Sequence, residues 1–312
     1  MKIQNVVVTG GAGFIGKNLV DRLISEGANV IVLDDLSTGI RENIDLNEVS
    51  FINCDLSSFN CVGYISSTID ELVGEDGVNI IYHLASPCSV IQFKDPVVAS
   101  HKTLMSMSNA ISIAGMFEST LIYPSSGNVY GTAPAPQREL SIPQPTNMYA
   151  VCKLASEQMA MLSGVSSCGL RIFLGYGPYE KHKGNLASVV TNFLVEMMNN
   201  RQPVIWGDGN QVRDFIYIDD IVDGLIKASG YSGVEPILNL GTGNATSFNT
   251  LIDIINDELG TKILPKYVSK PKSYVENTVA DITLMQDELG LRPIDLRRGI
   301  KKYINFLTEE SK

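Results

Sequence analysis

The run Val6-Val7-Val8-Thr9-Gly10-Gly11-Ala12-Gly13-Phe14-Ile15-Gly16 decides the fold. Its β-branched residues read as a buried strand. Leu19-Val20 and Leu23-Ile24 then recur at helical spacing, so the glycines form the turn between a strand and a helix. Gly10, Gly13 and Gly16 fall three apart. Missing side chains there permit a tight turn, close approach of a diphosphate and close helix–strand packing. The helix start at Phe14 and Ile15 adds backbone N–H groups and a partial positive charge. The pattern predicts an α/β protein built on a Rossmann-type, doubly wound parallel sheet.

Working outward, the next strand, Val30 to Leu33, ends in Asp34, about 20 residues past the turn. A carboxylate there accepts hydrogen bonds from an adenine ribose and repels a 2′-phosphate, so NAD is the expected cofactor. Asp35 beside it is a second candidate, and either aspartate could instead be a turn residue. Asp55 and Leu56 follow the strand Val49 to Asn53 and are placed near the adenine. The strand Val78 to Ala85 runs into a loop at Ser86-Pro87. Leu84, Ala85 and Ser86 thus sit at a carboxyl end, where such sheets bind ligands. His83, closing an apolar strand, reads as structural.

The bulk properties exclude several classes. The chain has 312 residues, 24 Lys+Arg and 34 Asp+Glu, a net charge of −10 without a basic run, which argues against nucleic acid as a partner. Cys54, Cys61, Cys88, Cys152 and Cys168 are odd in number and scattered, with no CxxC pair. That argues against a disulfide framework and a zinc site, and each reads as a small buried hydrophobe in a reducing cytoplasm. The first residues lead straight into a strand, leaving no room for a signal peptide, and no apolar run reaches the roughly 18 residues of a membrane helix. Asp219-Asp220 has no third ligand nearby, so no metal is expected; the pair reads as the cap of a helix over Ile221 to Ala228.

Tyr149 and Lys153 open a helical run to Leu162, four apart and so on one face. A nearby ammonium favours a phenolate, and a tyrosine so tuned can serve as a general base. Ser126 lies 23 residues upstream, past the strand Leu121 to Tyr123. The chain resembles the extended short-chain dehydrogenase/reductases that act on sugar nucleotides, and among them the UDP-glucose 4-epimerase group. The matching pieces are Thr-Gly-Gly-Ala-Gly-Phe-Ile-Gly at 9–16, Asp34, His-Leu-Ala at 83–85, Ser-Ser-x-x-Val-Tyr-Gly at 125–131, and Tyr149/Lys153. Leu-Arg-x-Phe-x-x-Tyr-Gly-Pro at 170–178, Gly-Asp-Gly at 207–209 and Arg-Asp-Phe-x-Tyr-x-Asp-Asp at 213–220 continue it.

The resemblance implies that Tyr149 is the catalytic base and acid, that Lys153 binds the nicotinamide ribose and depresses the tyrosine pKa, and that Ser126 holds the sugar hydroxyl. It implies a strand at Pro203 to Trp206 along the nucleobase, where Trp206 either packs on the base or is a core tryptophan. Arg213 becomes the diphosphate clamp, with Lys270 or Lys272 standing where relatives carry an arginine. Dehydratases and decarboxylases of the group carry an acid just before Val-Tyr-Gly; here Gly127-Asn128 stands there, which favours epimerisation of a UDP-hexose through a 4-keto sugar. A 4-ketoreductase, a dehydratase and a non-enzymatic NAD-sensing protein are the alternatives. Leu174 replaces the usual Asn, and the usual Asn-Val-x-Gly-Thr is missing between Thr103 and Met107.

Residues 1–174, with 214–243 returning, are expected to form the NAD-binding domain; 175–213 and 244–312 form a smaller C-terminal α/β substrate domain. Helices are expected over Leu186 to Asn199, Ser247 to Leu259, Thr283 to Gly290 and Leu296 to Leu307, with a strand at Pro236 to Leu240. The runs Pro96 to Met116 and Tyr149 to Leu162, rich in small and flexible side chains, suggest a homodimer.

Overall fold

A computed structural model describes residues 4–270 and 276–310. In chain order the first half runs β1 (Asn5–Thr9), α1 (Phe14–Ser25), β2 (Asn29–Asp34), β3 (Ser50–Asn53), α2 (Cys61–Val73), β4 (Ile80–His83), α3 (Pro96–Met116), β5 (Thr120–Ser126), α4 (Met148–Leu162) and β6 (Ser167–Ile172). The rest comprises β7 (Leu174–Tyr176), α5 (Val189–Met198), β8 (Val204–Trp206), β9 (Val212–Arg213), β10 (Phe215–Tyr217), α6 (Ile218–Ser229) and β11 (Ile237–Leu240). It closes with β12 (Thr246–Ser247), α7 (Phe248–Leu259), β13 (Lys266–Val268), β14 (Asn277–Thr278), α8 (Thr283–Leu289) and α9 (Leu296–Glu310).

Seven strands form one sheet in the order β11-β6-β5-β4-β1-β2-β3. Every pairing within it is parallel. The order reverses beside β1, which puts a crevice at the carboxyl ends of β1 and β4. The strand period of two sorts the side chains: Val6 and Val8 face a core shared with α1 and α6, while Val7 faces α2, α3 and α4. Burial on both faces explains why these strands are continuous apolar runs. The first core extends through Val190, Phe193, Leu251 and Ile300 into the C-terminal helices. The remaining strands make three small sheets, β7 with β10, β8 with β13, and β12-β9-β14.

Helix starts moved from their expected positions where a polar side chain takes the cap. Asn147 caps α4 through Ala150 N–H, and Ser188 caps α5 through Thr191 N–H, so α5 starts three residues later than the apolar run suggested. Residues Lys181–Leu186 form a separate 3-10 stretch. Asp219 and Asp220 do not cap α6, which begins at Ile218. Asp220 instead accepts Ile294 N–H at 3.1 Å, and Asp219 pairs with Lys302 at 2.5 Å. The expected cysteine burial holds for Cys152 and Cys168; Cys88 is exposed.

One buried ion pair joins α4 to the sheet. Glu157 accepts from Arg171 Nε at 2.9 Å and Nη2 at 2.7 Å, and from Ser125 Oγ at 2.5 Å. Arg171 Nη1 also donates to Tyr130 Oη at 3.0 Å and to the Glu139 carbonyl at 3.0 Å. Removing the carboxylate strands a guanidinium that is 5% exposed. Glu157→Ala is therefore expected to lower stability by about 3–5 kcal/mol in urea unfolding. A change below about 1 kcal/mol would show that the pair does not hold α4 in place.

Candidate active site

The crevice at the strand ends is a cavity of about 980 Å³. Its first wall is the glycine turn. Gly10 has φ +71°, and a Cβ there would sit 2.8 Å from Ala85 N; one on Gly16 would sit 2.1 Å from the Gly10 carbonyl oxygen. These glycines are required by the fold itself. Gly13 is the N-cap of α1 and supplies no side-chain cap, so the helix start offers its N–H groups to the cavity. A diphosphate fits this cradle.

At the end of β2, Asp34 accepts Ala12 N–H at 2.9 Å and Leu36 N–H at 2.8 Å. Burial pushes its carboxyl above the usual range, against the pull of those two donors. Both oxygens keep lone pairs for ribose hydroxyls. Asp35 and Asp55 flank Lys102, at 3.5 and 3.8 Å. Lys102 was missed in the sequence: it lies on α3, nearly fifty residues from the nearer aspartate. Leu56, Leu84, Ala85 and Ser86 complete this side, as expected from their strand-end positions.

The reactive end brings Ser126, Tyr149 and Lys153 together on the cavity wall. Ser126 ends β5; its Oγ accepts Asn128 N–H at 3.2 Å and Nδ2–H at 3.3 Å, and interacts with the Tyr149 hydroxyl. Lys153 donates to Ser86 Oγ at 2.9 Å and to the Pro124 carbonyl at 3.1 Å. His83 is structural: Nδ1 meets Thr9 Oγ1 at 3.0 Å, and burial, helped by Lys153, pushes its pKa down to about 3. Burial pushes the Tyr149 phenol up, opposed by Ser126, where the i,i+4 spacing implied a lowered value. The ammonium lies 6.0 Å from the phenol ring centroid and is itself weakened by burial.

Across the cavity stands Arg213, with Nη1 donating to the Val212 carbonyl at 2.8 Å and the Glu276 carbonyl at 3.1 Å and the guanidinium over Phe248. Trp206 and Lys270 do not line it. Trp206 is 46% exposed at the end of β8, so it is not a core residue. Lys270 pairs with Glu276, and Lys272 lies outside the described residues. Three wall residues escaped the sequence reading. His182 reaches across to the Thr38 carbonyl at 3.1 Å, and Lys183 and Glu180 form a pair near Phe14. Their signal was present only as a polar loop. Cys88 also lines the wall, contrary to its expected burial.

A dinucleotide cradle, a strand-end serine and a helical Tyr/Lys pair define an oxidoreductase-type site of the short-chain dehydrogenase kind. The chain matches the NAD dependent epimerase/dehydratase family over residues 6–241 and belongs to it. It is an enzyme of that family, and its cofactor is NAD. It is 32% identical to a putative UDP-glucose 4-epimerase of Methanocaldococcus jannaschii, over 98% of this chain and 99% of that one. It is 32% identical to the UDP-glucose 4-epimerase of Mycolicibacterium smegmatis, over 99% and 100%. A UDP-glucuronic acid decarboxylase of Arabidopsis thaliana is 29% identical over 97% of this chain and 70% of its own. Among solved structures, the UDP-glucose 4-epimerase of Thermotoga maritima with UDP-glucose superposes with a TM-score of 0.90, at 29% identity over 99% and 100% of the two chains. MoeE5 in complex with UDP-glucuronic acid and NAD gives 0.84, at 26% identity over 98% and 99%.

Burial gives Lys153 a testable signature. It pushes the ammonium from 10.5 down to about 8. Below pH 8 the folded protein bears the full cost of that charge. Between 8 and 10.5 the folded chain has lost a proton that the unfolded chain keeps, and the cost fades. A fall of that size corresponds to roughly 3 kcal/mol. Relative to Lys153→Met, the cofactor-free wild type is therefore expected to gain stability as pH rises from 7 to 10. Urea unfolding of both proteins at the two pH values checks this; an unchanged difference would contradict it.

Proposed function

We propose that the protein is a UDP-hexose 4-epimerase that reuses its NAD in every turnover. The observation that carries this reading is the Ser126–Tyr149 pair on the cavity wall with Asn128, rather than an acid, beside it. Asparagine cannot take up a proton, so elimination or decarboxylation lacks a helper at the neighbouring carbon. Oxidation and reduction at one carbon needs only a single acid/base. The family resemblance and the 4-epimerase relatives support the same reading.

NAD, when bound, supplies reversible hydride acceptance. Tyr149 takes the C4 hydroxyl proton and later returns it, directly or through Ser126. Burial alone makes this phenol a weak acid, and the positive charge of a bound NAD would favour the phenolate that the first proton transfer requires. Ser126, held by Asn128, orients the hydroxyl. Lys153 holds the nicotinamide ribose from beside Ser86. Asp34 and Asp35 face the adenine ribose, and Asp55 and Leu56 the adenine. Arg213 anchors the substrate diphosphate while the 4-keto sugar turns over between half-reactions. Trp206 and Lys270 keep a part only at the outer, nucleobase end, since they stand off the cavity wall. We assign residues 1–174 and 214–243 to NAD and 175–213 and 244–312 to the sugar nucleotide. We also infer a homodimer through α3 and α4, whose exposed Val97, Val98, Met148, Val151, Met161 and Leu162 await a partner surface.

Proton NMR with UDP-glucose and UDP-N-acetylglucosamine and catalytic NAD is expected to show the galacto anomeric signal growing without net NADH. Silence with both sugars, and turnover of a 4-keto sugar nucleotide with NADH, would replace this reading with a ketoreductase. Tyr149→Phe is expected to lower kcat by about 10²–10⁴-fold while NAD stays bound. Undiminished activity would remove Tyr149 from the mechanism. Sedimentation at micromolar concentration should give twice the 34.0 kDa chain mass; a monomer would refute the α3–α4 interface.

A further inference from the structure

The Tyr149 ring needs more than its hydroxyl contact to hold one orientation. Asn147 caps α4 and fixes the backbone just before it, and Ser126 meets the hydroxyl end. The two side-chain torsions between those points are set by what packs on the ring. Lys153 Nζ lies 6.0 Å from the ring centroid. The Phe93 ring lies 5.8 Å away at an interplanar angle of 68°, an edge-to-face arrangement. Aromatic pairs favour that geometry because the positive edge of one ring meets the negative face of the other. Among the described residues Phe93 is the aromatic partner of Tyr149.

Phe93 stands in the 3-10 stretch Val90–Lys94, between β4 and α3. It is half-buried and, among the described residues, belongs to none of the hydrophobic cores. A large apolar ring that joins no core is explained by what it covers. Tyr149 is 6% exposed, although its neighbours on the first turn of α4, Met148 and Val151, are 44% and 41% exposed. The hydrogen bonds of the Phe93 segment stay within it. Cys88 N–H donates to Gln92 Oε1 at 2.7 Å, Gln92 N–H donates to the Ser89 carbonyl at 3.1 Å, and Ser89 Oγ–H reaches the same Oε1 at 3.5 Å. They shape the segment without tying it to α4, so the ring contact makes that join. Residues 87–92 line the cavity and Phe93 does not. Phe93 thus touches Tyr149 without touching the space where substrate and cofactor bind.

Resting on Tyr149 as the acid/base of the 4-epimerase reading, we propose that Phe93 is a positioning residue, whose ring fixes the tilt of the Tyr149 phenol and keeps water off it. Tyr149 remains the group that moves the proton, and Phe93 acts only through it. A misplacement of about 1 Å at a reacting group can cost roughly 100-fold in rate. The same cover sets how tightly the phenol holds its proton, because water admitted to the ring would solvate the phenolate. Among the described residues the titratable groups against Tyr149 are Lys153 on its own helix and Cys88 on the Phe93 segment, with the Ser126 hydroxyl contributed by β5. A change at Phe93 alters none of them chemically, so a shift in the titration of Tyr149 reports the lost cover.

The experiment compares NAD-loaded wild type with Phe93→Ala, Phe93→Leu and Phe93→Tyr. It measures kcat and KM against pH with UDP-glucose and UDP-N-acetylglucosamine, bound NAD after denaturation, and the ultraviolet phenolate signal that Tyr149→Phe removes. Phe93→Ala and Phe93→Leu are expected to lower kcat by roughly 10- to 100-fold, with KM and NAD content unchanged. The acid limb of kcat and the phenolate signal should both move to lower pH by about one unit. Phe93→Tyr, which keeps the ring, should restore wild-type values. Phe93→Leu keeps most of the side-chain volume and stands in where Phe93→Ala does not fold. An unchanged kcat, or a lowered kcat with the phenolate titrating as in wild type, overturns the proposal. A raised KM with kcat intact assigns the segment to substrate binding, and equal loss in Phe93→Tyr assigns Phe93 to the fold; either overturns it too. Wild type that turns over neither sugar overturns the 4-epimerase reading, and the phenolate titration then decides the placement of Tyr149 by Phe93 on its own.

Discussion

The site depends on one buried ion pair, Glu157 with Arg171. Tyr149, Lys153 and Glu157 are spaced four apart on α4 and form a single buried stripe. The stripe is polar throughout, so hydrophobic packing alone cannot hold it against the sheet. Glu157 does so by gripping Arg171 on β6 and Ser125 at the end of β5. Ser125 is the immediate neighbour of Ser126. The same carboxylate therefore fixes the helix that carries the phenol and the strand end that carries the hydroxyl. Two turns of helix stand between anchor and chemistry, short enough for the placement to be rigid.

That anchoring lets the protein bury groups that resist burial. Lys153 loses much of its hold on a proton, and Tyr149 grips its own more tightly than in water. Both effects follow from desolvation, which disfavours each charged form. Their cost falls on the folded state, and the core on both faces of the sheet offsets it. The glycine turn imposes the complementary constraint. Gly16 lets α1 approach the Gly10 carbonyl, and without that approach the helix start could not aim its N–H groups into the cavity.

The nucleotide half of the fold was legible because its signals are local. Strand, glycine turn and helix lie within twenty-five residues, and Asp34 and Tyr149/Lys153 stand at fixed offsets from element ends. Every cofactor residue read from those offsets does line the cavity. Lys102 was not legible, because it matters through partners that only the folded chain brings near. Glu157 was hidden for the same reason: its helix was read, but its counter-ion lies on the next strand. The lowered tyrosine pKa expected from i,i+4 spacing failed on burial, which no spacing reports. Trp206 ends the short strand β8 and Lys270 lies just past its partner β13, in a small separate sheet whose direction the sequence does not set.

The C-terminal half is assembled on a second buried carboxylate. Asp214 follows Arg213 and is fully buried; it accepts Thr242 N–H at 2.7 Å, Thr242 Oγ–H at 2.6 Å, Gly243 N–H at 2.9 Å and Ala280 N–H at 3.1 Å. One side chain thereby joins three distant segments around the arginine. Its backbone carbonyl also takes Leu174 N–H at 3.0 Å. Position 174 is therefore held by its main chain, which explains how Leu174 can replace an amide there without disturbing the wall. Asn128 stands likewise within a short 3-10 turn rather than in the sheet. The two carboxylate hubs fix the frame, while Leu174 and Asn128 line the cavity outside both hubs.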